Sequence, residues 1–460
     1  MVRRRAASHS RMIAHAWSPP PVRTVGAGHA HHSHPASVDP GGLSIRGAAF
    51  PDGLARTPRA RRTTVTARNT DHEERSAVSG HGEVLALFRR HGPLTRAQVV
   101  ELSGLSRATA THRLDALVQA GLIRTEAADR STGGRPASVF DLAENRGSLL
   151  VADIGSSHAR YGLADLSGRV LTALDDDIVI DDGPDAVLSR VIAAFDRLAT
   201  DDVPPVLGVA IGVPGPVDHR TGRLVSPPTM SGWDGYDVAA RIGQHVSAPV
   251  VVDKDANLVA LGVHRALRSD SVPGADDLLV VKVGMGIGAG IISRGSVLHG
   301  ARGGAGDLGH IPHDDGPKCR CDQRGCAEAS AGAWAIAAHL RDLGHPVHTS
   351  ADVVALAKNG DRDAISSLRA AGRRIGDAVV EAVGVLNPAM VVVGGDLAEA
   401  GDLLVDGVRE RVFERSHPLA TTDLSVIASP LGADAGLLGA AQMAADAALS
   451  PDRVDAIVGC

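Results

Sequence analysis

Aromatic residues are almost missing: Phe, Trp and Tyr together make up 2% of the 460 residues. The cores must therefore rest on Ala, Val, Leu and Ile, and an apolar fraction of 44% is enough to build them. Cysteine is scarce, with four in the whole chain, which excludes a disulfide-stapled scaffold. No uninterrupted apolar run of about 18 residues occurs, so a membrane span is excluded and a cytoplasmic location is expected. The most apolar stretch, residues 278–292, is too short and carries Lys282 and four glycines. At roughly 100 to 200 residues per domain, the length allows two to four domains. The net charge of −6 hides an asymmetry. Residues 1–142 hold 20 Lys+Arg against 11 Asp+Glu, and the remainder holds 27 against 42. A basic head on an acidic body suggests separate partners, with nucleic acid the natural one for the head. A solvated basic tail without a partner would look the same by charge alone.

Residues 1–78 combine Arg runs, the cluster His29, His31, His32 and His34, scattered prolines and few large apolar side chains. No period persists, so an unstructured, dispensable basic tail is expected. An organellar transit peptide or an over-long reading frame would have the same composition. Residues 79–147 read as a compact helical unit. Val84, Leu87 and Phe88 fall at helical spacing, and Gly92-Pro93 ends that helix. Thr95 and Gln98 form a capping box, Gly104 permits a turn, and Ser106 caps a third helix to about Gln119. Ala110, Leu114 and Leu117 face inward, which leaves Arg107, Thr109, Thr111 and His112 outward. Strands at 122–124 and 139–142 flank the basic loop 131–136. This order resembles a bacterial winged helix-turn-helix whose third helix enters the major groove. Ser106, Arg107, Thr109, Thr111 and His112 are the candidate DNA contacts, with Arg135 in the wing on a phosphate or the minor groove. The plain alternative is a helical dimerisation module with a wet polar face.

Residues 148–460 alternate strands and helices in an α/β order, with candidate functional residues at strand ends. The most specific motif is Gly309-His310 followed by Cys319, Cys321 and Cys326. Three thiolates and an imidazole make a tetrahedral structural zinc site with no open position for catalysis. His313 is a competing imidazole, Arg320 and Arg324 would offset the thiolate charge, and three unligated thiols are the alternative. Asp153-Ile154-Gly155-Ser156-Ser157 ends a strand and could present amides and a hydroxyl to phosphate, with Asp153 holding a hydrated magnesium. A plain tight turn is the alternative. Gly284-Met285-Gly286-Ile287-Gly288 and Gly394-Gly395 would supply a second phosphate turn and a base turn. Asp253-Lys254-Asp255-Ala256-Asn257 follows another strand. A carboxylate there could take a proton from a sugar hydroxyl, or the group could be a solvated helix cap.

Together these segments resemble the ROK family of sugar kinases and sugar-responsive repressors, over residues 82–445, and the head points to the repressor branch. The resemblance implies two actin-like lobes of the sugar-kinase fold, spanning 148–258 and 259–460, with a ligand cleft between them and residues 212–216 nearby. It places Asp255 at the catalytic-base position, and Asp307, His310 and Glu328 at sugar-hydroxyl positions, His310 also on zinc. It further implies a homodimer or homotetramer. Several positions depart from the kinase pattern. Lys254 replaces Asn, Asp307 replaces Glu, and Ser156 replaces Gly. Met285 replaces Thr and cannot donate to phosphate. Lys254 beside Asp255 would lower the basicity of that carboxylate and welcome an anionic sugar, unless the two side chains pair. The expectation is a transcriptional regulator, most simply a repressor, that binds operator DNA and a small carbohydrate. The alternative is a kinase using Mg-ATP.

Overall fold

The fold was obtained as a computed structural model, which describes residues 80–126, 138–313 and 315–459. Local sequence explains the head. Helix α1 (His81–His91) buries Val84, Leu85, Leu87 and Phe88 and stops at Gly92, whose φ is 74°. Strand β1 (Leu94–Thr95) leads into α2 (Arg96–Ser103), where the Thr95 hydroxyl accepts from Gln98 N and the Gln98 side chain accepts from Thr95 N. Gly104 turns the chain in the left-handed region, and Ser106 caps α3 (Arg107–Gln119) by accepting from Thr109 N at 3.1 Å. Ala110, Leu114 and Leu117 are fully buried on its inner face. The expected pair of strands, β2 (Ile123–Glu126) and β3 (Val139–Leu142), gains a third member because Leu94 and Thr95 pair with Phe140 and Val139.

The body holds two five-stranded sheets. The first contains β4 (Ser148–Ile154), β5 (His158–Asp165), β6 (Val170–Asp177), β7 (Val206–Val213) and β10 (Val250–Lys254), in the order β10-β7-β4-β5-β6. Strand β6 starts two residues later than its sequence suggests. Asp165 Oδ1 accepts from Ser167 N and Arg169 N, both at 3.0 Å, and so commits 166–169 to a turn. Between β6 and β10 lie α4 (Pro184–Leu198), the hairpin β8 (Val217–Asp218) and β9 (Arg223–Leu224), and α5 (Val238–Gly243). Helix α6 (Asp255–Ser269) then leads to the second sheet. That sheet combines β11 (Leu278–Val283), β12 (Ile287–Ser293), β13 (Ser296–Val297), β14 (Met390–Gly394) and β15 (Ser425–Ala428), in the order β13-β12-β11-β14-β15.

Around the second sheet run α7 (Glu328–Ala331), α8 (Ala333–Asp342), α9 (Ser350–Lys358), α10 (Arg362–Leu386), α11 (Asp402–Arg415) and α12 (Pro418–Thr421). The described chain closes with α13 (Asp434–Ala448) and α14 (Pro451–Gly459). Helix α13 crosses α6 at glycine: a Cβ on Gly439 would lie 1.7 Å from Leu258 O, and one on Gly262 would lie 2.1 Å from Ala435 O. Helix α14 reaches the head. Asp455 Oδ1 accepts from His81 N at 2.6 Å and Gly82 N at 3.1 Å, and Arg89 pairs with Asp446. The head core is thereby continuous with Leu449 and Val454. No helix among the described residues is long and apolar enough to cross a membrane.

Candidate functional site

On the head, Arg107 and His112 are exposed on the outer face of α3, and Arg107 makes no ion pair among the described residues. The Ser106 hydroxyl lies 2.8 Å from that of Thr109, and the Thr111 hydroxyl donates to Arg107 O at 2.8 Å. These three hydroxyls therefore serve the helix first. Arg107 is the freest candidate for a base edge. Arg135 lies outside the described residues.

Loop 317–326 folds back on itself to form a knuckle. Cys319 N donates to Gln323 O at 2.8 Å, and Asp322 takes a φ of 68°. This brings the ligand atoms of His310, Cys319, Cys321 and Cys326 within 4.8 Å of one another. Cys319 Sγ lies 3.6 Å from His310 Nδ1, and Cys321 Sγ lies 3.7 Å from Cys326 Sγ. Burial, then the neighbouring Cys321, pushes the Cys326 thiol up to about 12, so a cation is what would stabilise thiolates here. His313 stands outside this group, with Nδ1 3.4 Å from Glu381 Oε1. Arg320 stacks over Trp334 at 4.5 Å, and Arg324 donates to Gly316 O. The set of four can hold a metal ion.

The residues expected to line the cleft come from strand ends of both sheets. Asp153, Gly212 and Asp253 sit in register on β4, β7 and β10, and Asp255 opens α6 just beyond. Asp255 does not pair with Lys254. Its Oδ2 accepts from Lys282 Nζ of β11 at 2.6 Å, whereas Lys254 Nζ donates to Ala305 O. Burial lowers the Lys254 pKa, opposed by Asp253, Asp307 and Asp255. Burial disfavours the Lys282 charge too, but Asp255 and Asp153 outweigh it and hold the ammonium above its ordinary range. Burial raises the Asp153 carboxyl, and its Oδ1 has no hydrogen-bond partner among the described residues. Asp307 is exposed next to the 3-10 turn that carries His310, and buried Glu328 accepts from Ile287 N at 2.9 Å.

The glycine turns are tightly committed. Gly155 N donates to His158 O, Gly284 N donates to Gly286 O, and Gly394 faces Lys282 across the sheet. Ser157 is exposed, and its carbonyl accepts from Ile178 N. Gly288 is the other cross-strand neighbour of Lys282, and Gly395 backs onto Val283. Sequence reading missed three groups here. They are Lys282, the pair His299 Nε2 and Asp253 Oδ2 at 2.7 Å, and Asp396, which accepts from Ser350 Oγ at 2.7 Å.

Two five-stranded α/β sheets with polar residues gathered at their strand ends, preceded by a helix-turn-helix head, define a two-lobed protein of the sugar-kinase fold with a DNA-binding module. The chain belongs to the ROK family, which residues 150–447 match, and residues 82–127 match the IclR helix-turn-helix domain. Among its relatives is a glucokinase of Thermotoga maritima, 30% identical over 64% of this chain and 96% of that one. A xylose repressor of Caldicellulosiruptor bescii is 26% identical over 76% of this chain and 91% of the repressor, extending into the head. The crystal structure of a ROK family transcriptional regulator, a homolog of the Escherichia coli MLC protein, superposes with a TM-score of 0.69 at 26% identity. It covers 82% of this chain and 98% of that one.

Proposed function

We propose that this protein is a sugar-responsive transcriptional repressor. Residues 79–147 bind operator DNA, and a small carbohydrate binds in the cleft between lobes 148–258 and 259–460. The observation that carries the reading is the physical continuity of the head with the body. Helix α14 holds α1 through Asp455, α13 packs on α6 at Gly439 and Gly262, and α6 begins at Asp255 in the cleft. A ligand that alters the start of α6 thus acts on the same packed column that seats the head. Similarity to a xylose repressor and to a ROK transcriptional regulator over head and body together supports this assignment.

Lys254, Asp255, Asp307, His310 and Glu328 are the sugar-facing groups. His310, Cys319, Cys321 and Cys326 hold a structural zinc ion, because soft thiolates with one imidazole suit that metal. Zinc would fix His310 toward the cleft. A dimer or tetramer would place two heads on one operator. The kinase reading draws support from the glucokinase relative, but Met285 offers no hydroxyl to a phosphate and Asp255 is tied to Lys282.

The test is binding to duplexes selected from random DNA by the purified protein. Wild-type protein is expected to enrich a defined site. Arg107→Ala is expected to lower discrimination against random duplex by about 1–3 kcal/mol, the worth of one bidentate base contact. Failure to enrich any site would remove the regulator reading.

A further inference from the structure

The residues read from the sequence as a nucleotide site do not fit a magnesium–nucleotide complex. Magnesium demands near-octahedral oxygen ligands and keeps several waters, so it needs open space beside its carboxylates. Here that space receives an ammonium. Lys282 lies on β11 opposite Gly288 on one side and Gly394 on the other. Neither neighbour has a side chain, so the lysine stem has a clear path off the second sheet to the end of the first. Its Nζ meets Asp255 Oδ2 at 2.6 Å. Asp153, the other carboxylate nearby, aims a buried Oδ1 with no hydrogen-bond partner among the described residues. Gly212 lies between the two acids: a Cβ there would be 3.3 Å from Asp153 Oδ1 and 3.6 Å from Asp255 Cα.

The surrounding turns are closed to phosphate by the protein's own groups. The Ile287 amide is given to Glu328 at 2.9 Å. A Cβ on Gly284 would lie 3.3 Å from Asp396 Oδ2, so a carboxylate already faces the turn that an anionic phosphate would approach. Like charge there repels phosphate rather than cradling it.

We propose that Lys282 is the resident cation of the cleft: its ammonium occupies Asp255, one of the two carboxylates that a nucleotide-bound divalent metal would need. The charge of Asp255 is offset from within the chain, and the pair Lys282–Asp255 ties the second sheet to the first without a metal or a nucleotide. Removing the ammonium alone leaves two acids close together with Asp255 unpaired, an arrangement that a hard divalent cation relieves.

Manganese is the probe, because it is a hard, oxygen-seeking ion that the thiolate cluster does not favour. Free Mn2+ is titrated by electron paramagnetic resonance against the full chain, purified with its Cys/His cluster intact. The wild type is expected to show no cleft Mn2+. Lys282→Met is expected to bind Mn2+ at least about tenfold more tightly, to gain thermal stability from the ion, and to lose both in Lys282→Met/Asp153→Asn. A folded Lys282→Met that gains no Mn2+ site overturns the proposal. Should that variant fail to fold, Lys282→Gln enters the same titration. The wild-type titration also stands alone: an Mn2+ ion in the wild-type cleft that Asp153→Asn displaces overturns the proposal without any lysine variant.

Discussion

Asp455 is the point at which the C-terminal helix controls the head, and its loss has a calculable effect. Helix α1 begins after Gly80, which has no side chain with which to cap it. The first free amides, His81 N and Gly82 N, instead donate to Asp455 Oδ1 at 2.6 and 3.1 Å, 373 residues along the chain from Gly82. Asp455 is thus a helix cap supplied by another element, and its charge also suits the positive end of α1. Loss of such a cap costs about 0.5–2 kcal/mol. Asp455 is 39% exposed, so solvent screens the charge contribution and the upper end is not expected. A value near 1 kcal/mol corresponds to about fivefold faster local opening. Asp455→Ala should therefore reduce amide hydrogen-exchange protection across α1 by about fivefold, while the β4–β7 core keeps its protection. Asp455→Asn, which retains an acceptor, should lose less. Unchanged protection in α1 of Asp455→Ala would refute the reasoning that α14 anchors the head.

Gly439→Ala is expected to be costlier, because its new methyl would meet Leu258 O at 1.7 Å and backbone cannot step aside as a flexible side chain can. Overpacking of this kind costs about 1–3 kcal/mol, read as a lower midpoint in thermal unfolding. Cys321→Ser should abolish stoichiometric zinc in the purified protein and lower the melting temperature, and a chelator should do the same to the wild type. Metal analysis showing zinc-free wild-type protein under non-chelating conditions would sink that assignment.

Local signals made the head legible. Thr95, Gln98 and Ser106 act within three residues of themselves, and Ala110, Leu114 and Leu117 repeat with the helix, so sequence alone places the caps and the inner face. The cysteine knuckle was legible for the same reason, since Cys319, Cys321 and Cys326 lie within one short loop. Helices α13 and α14 were not. Helix α13 is apolar nearly all round because it is buried between α6 and the first sheet, so no amphipathic period marks it.

The cleft was legible only in part. Asp153 and Asp255 stand at strand ends that sequence reveals, but sequence weighed only the neighbouring Lys254 as a charge acting on Asp255. The true partner comes from the other sheet, 27 residues later. One clue was present: the chain has only four lysines, and Lys282 interrupts its most apolar stretch. A charge placed there, between glycine-rich strands, needs a buried counter-ion.

The central claim is that a carbohydrate in the cleft changes the grip of the head on DNA, and equilibrium titration of the protein onto its selected duplex across a panel of sugars tests it most directly. The account predicts that at least one pentose, hexose, amino sugar or acid sugar shifts the DNA dissociation constant by about fivefold or more, a coupling of about 1 kcal/mol. Asp255→Ala should lose that shift while still binding DNA. Identical DNA affinity with every sugar, together with ATP-dependent phosphorylation of one of them that Asp255→Ala abolishes, would contradict the account.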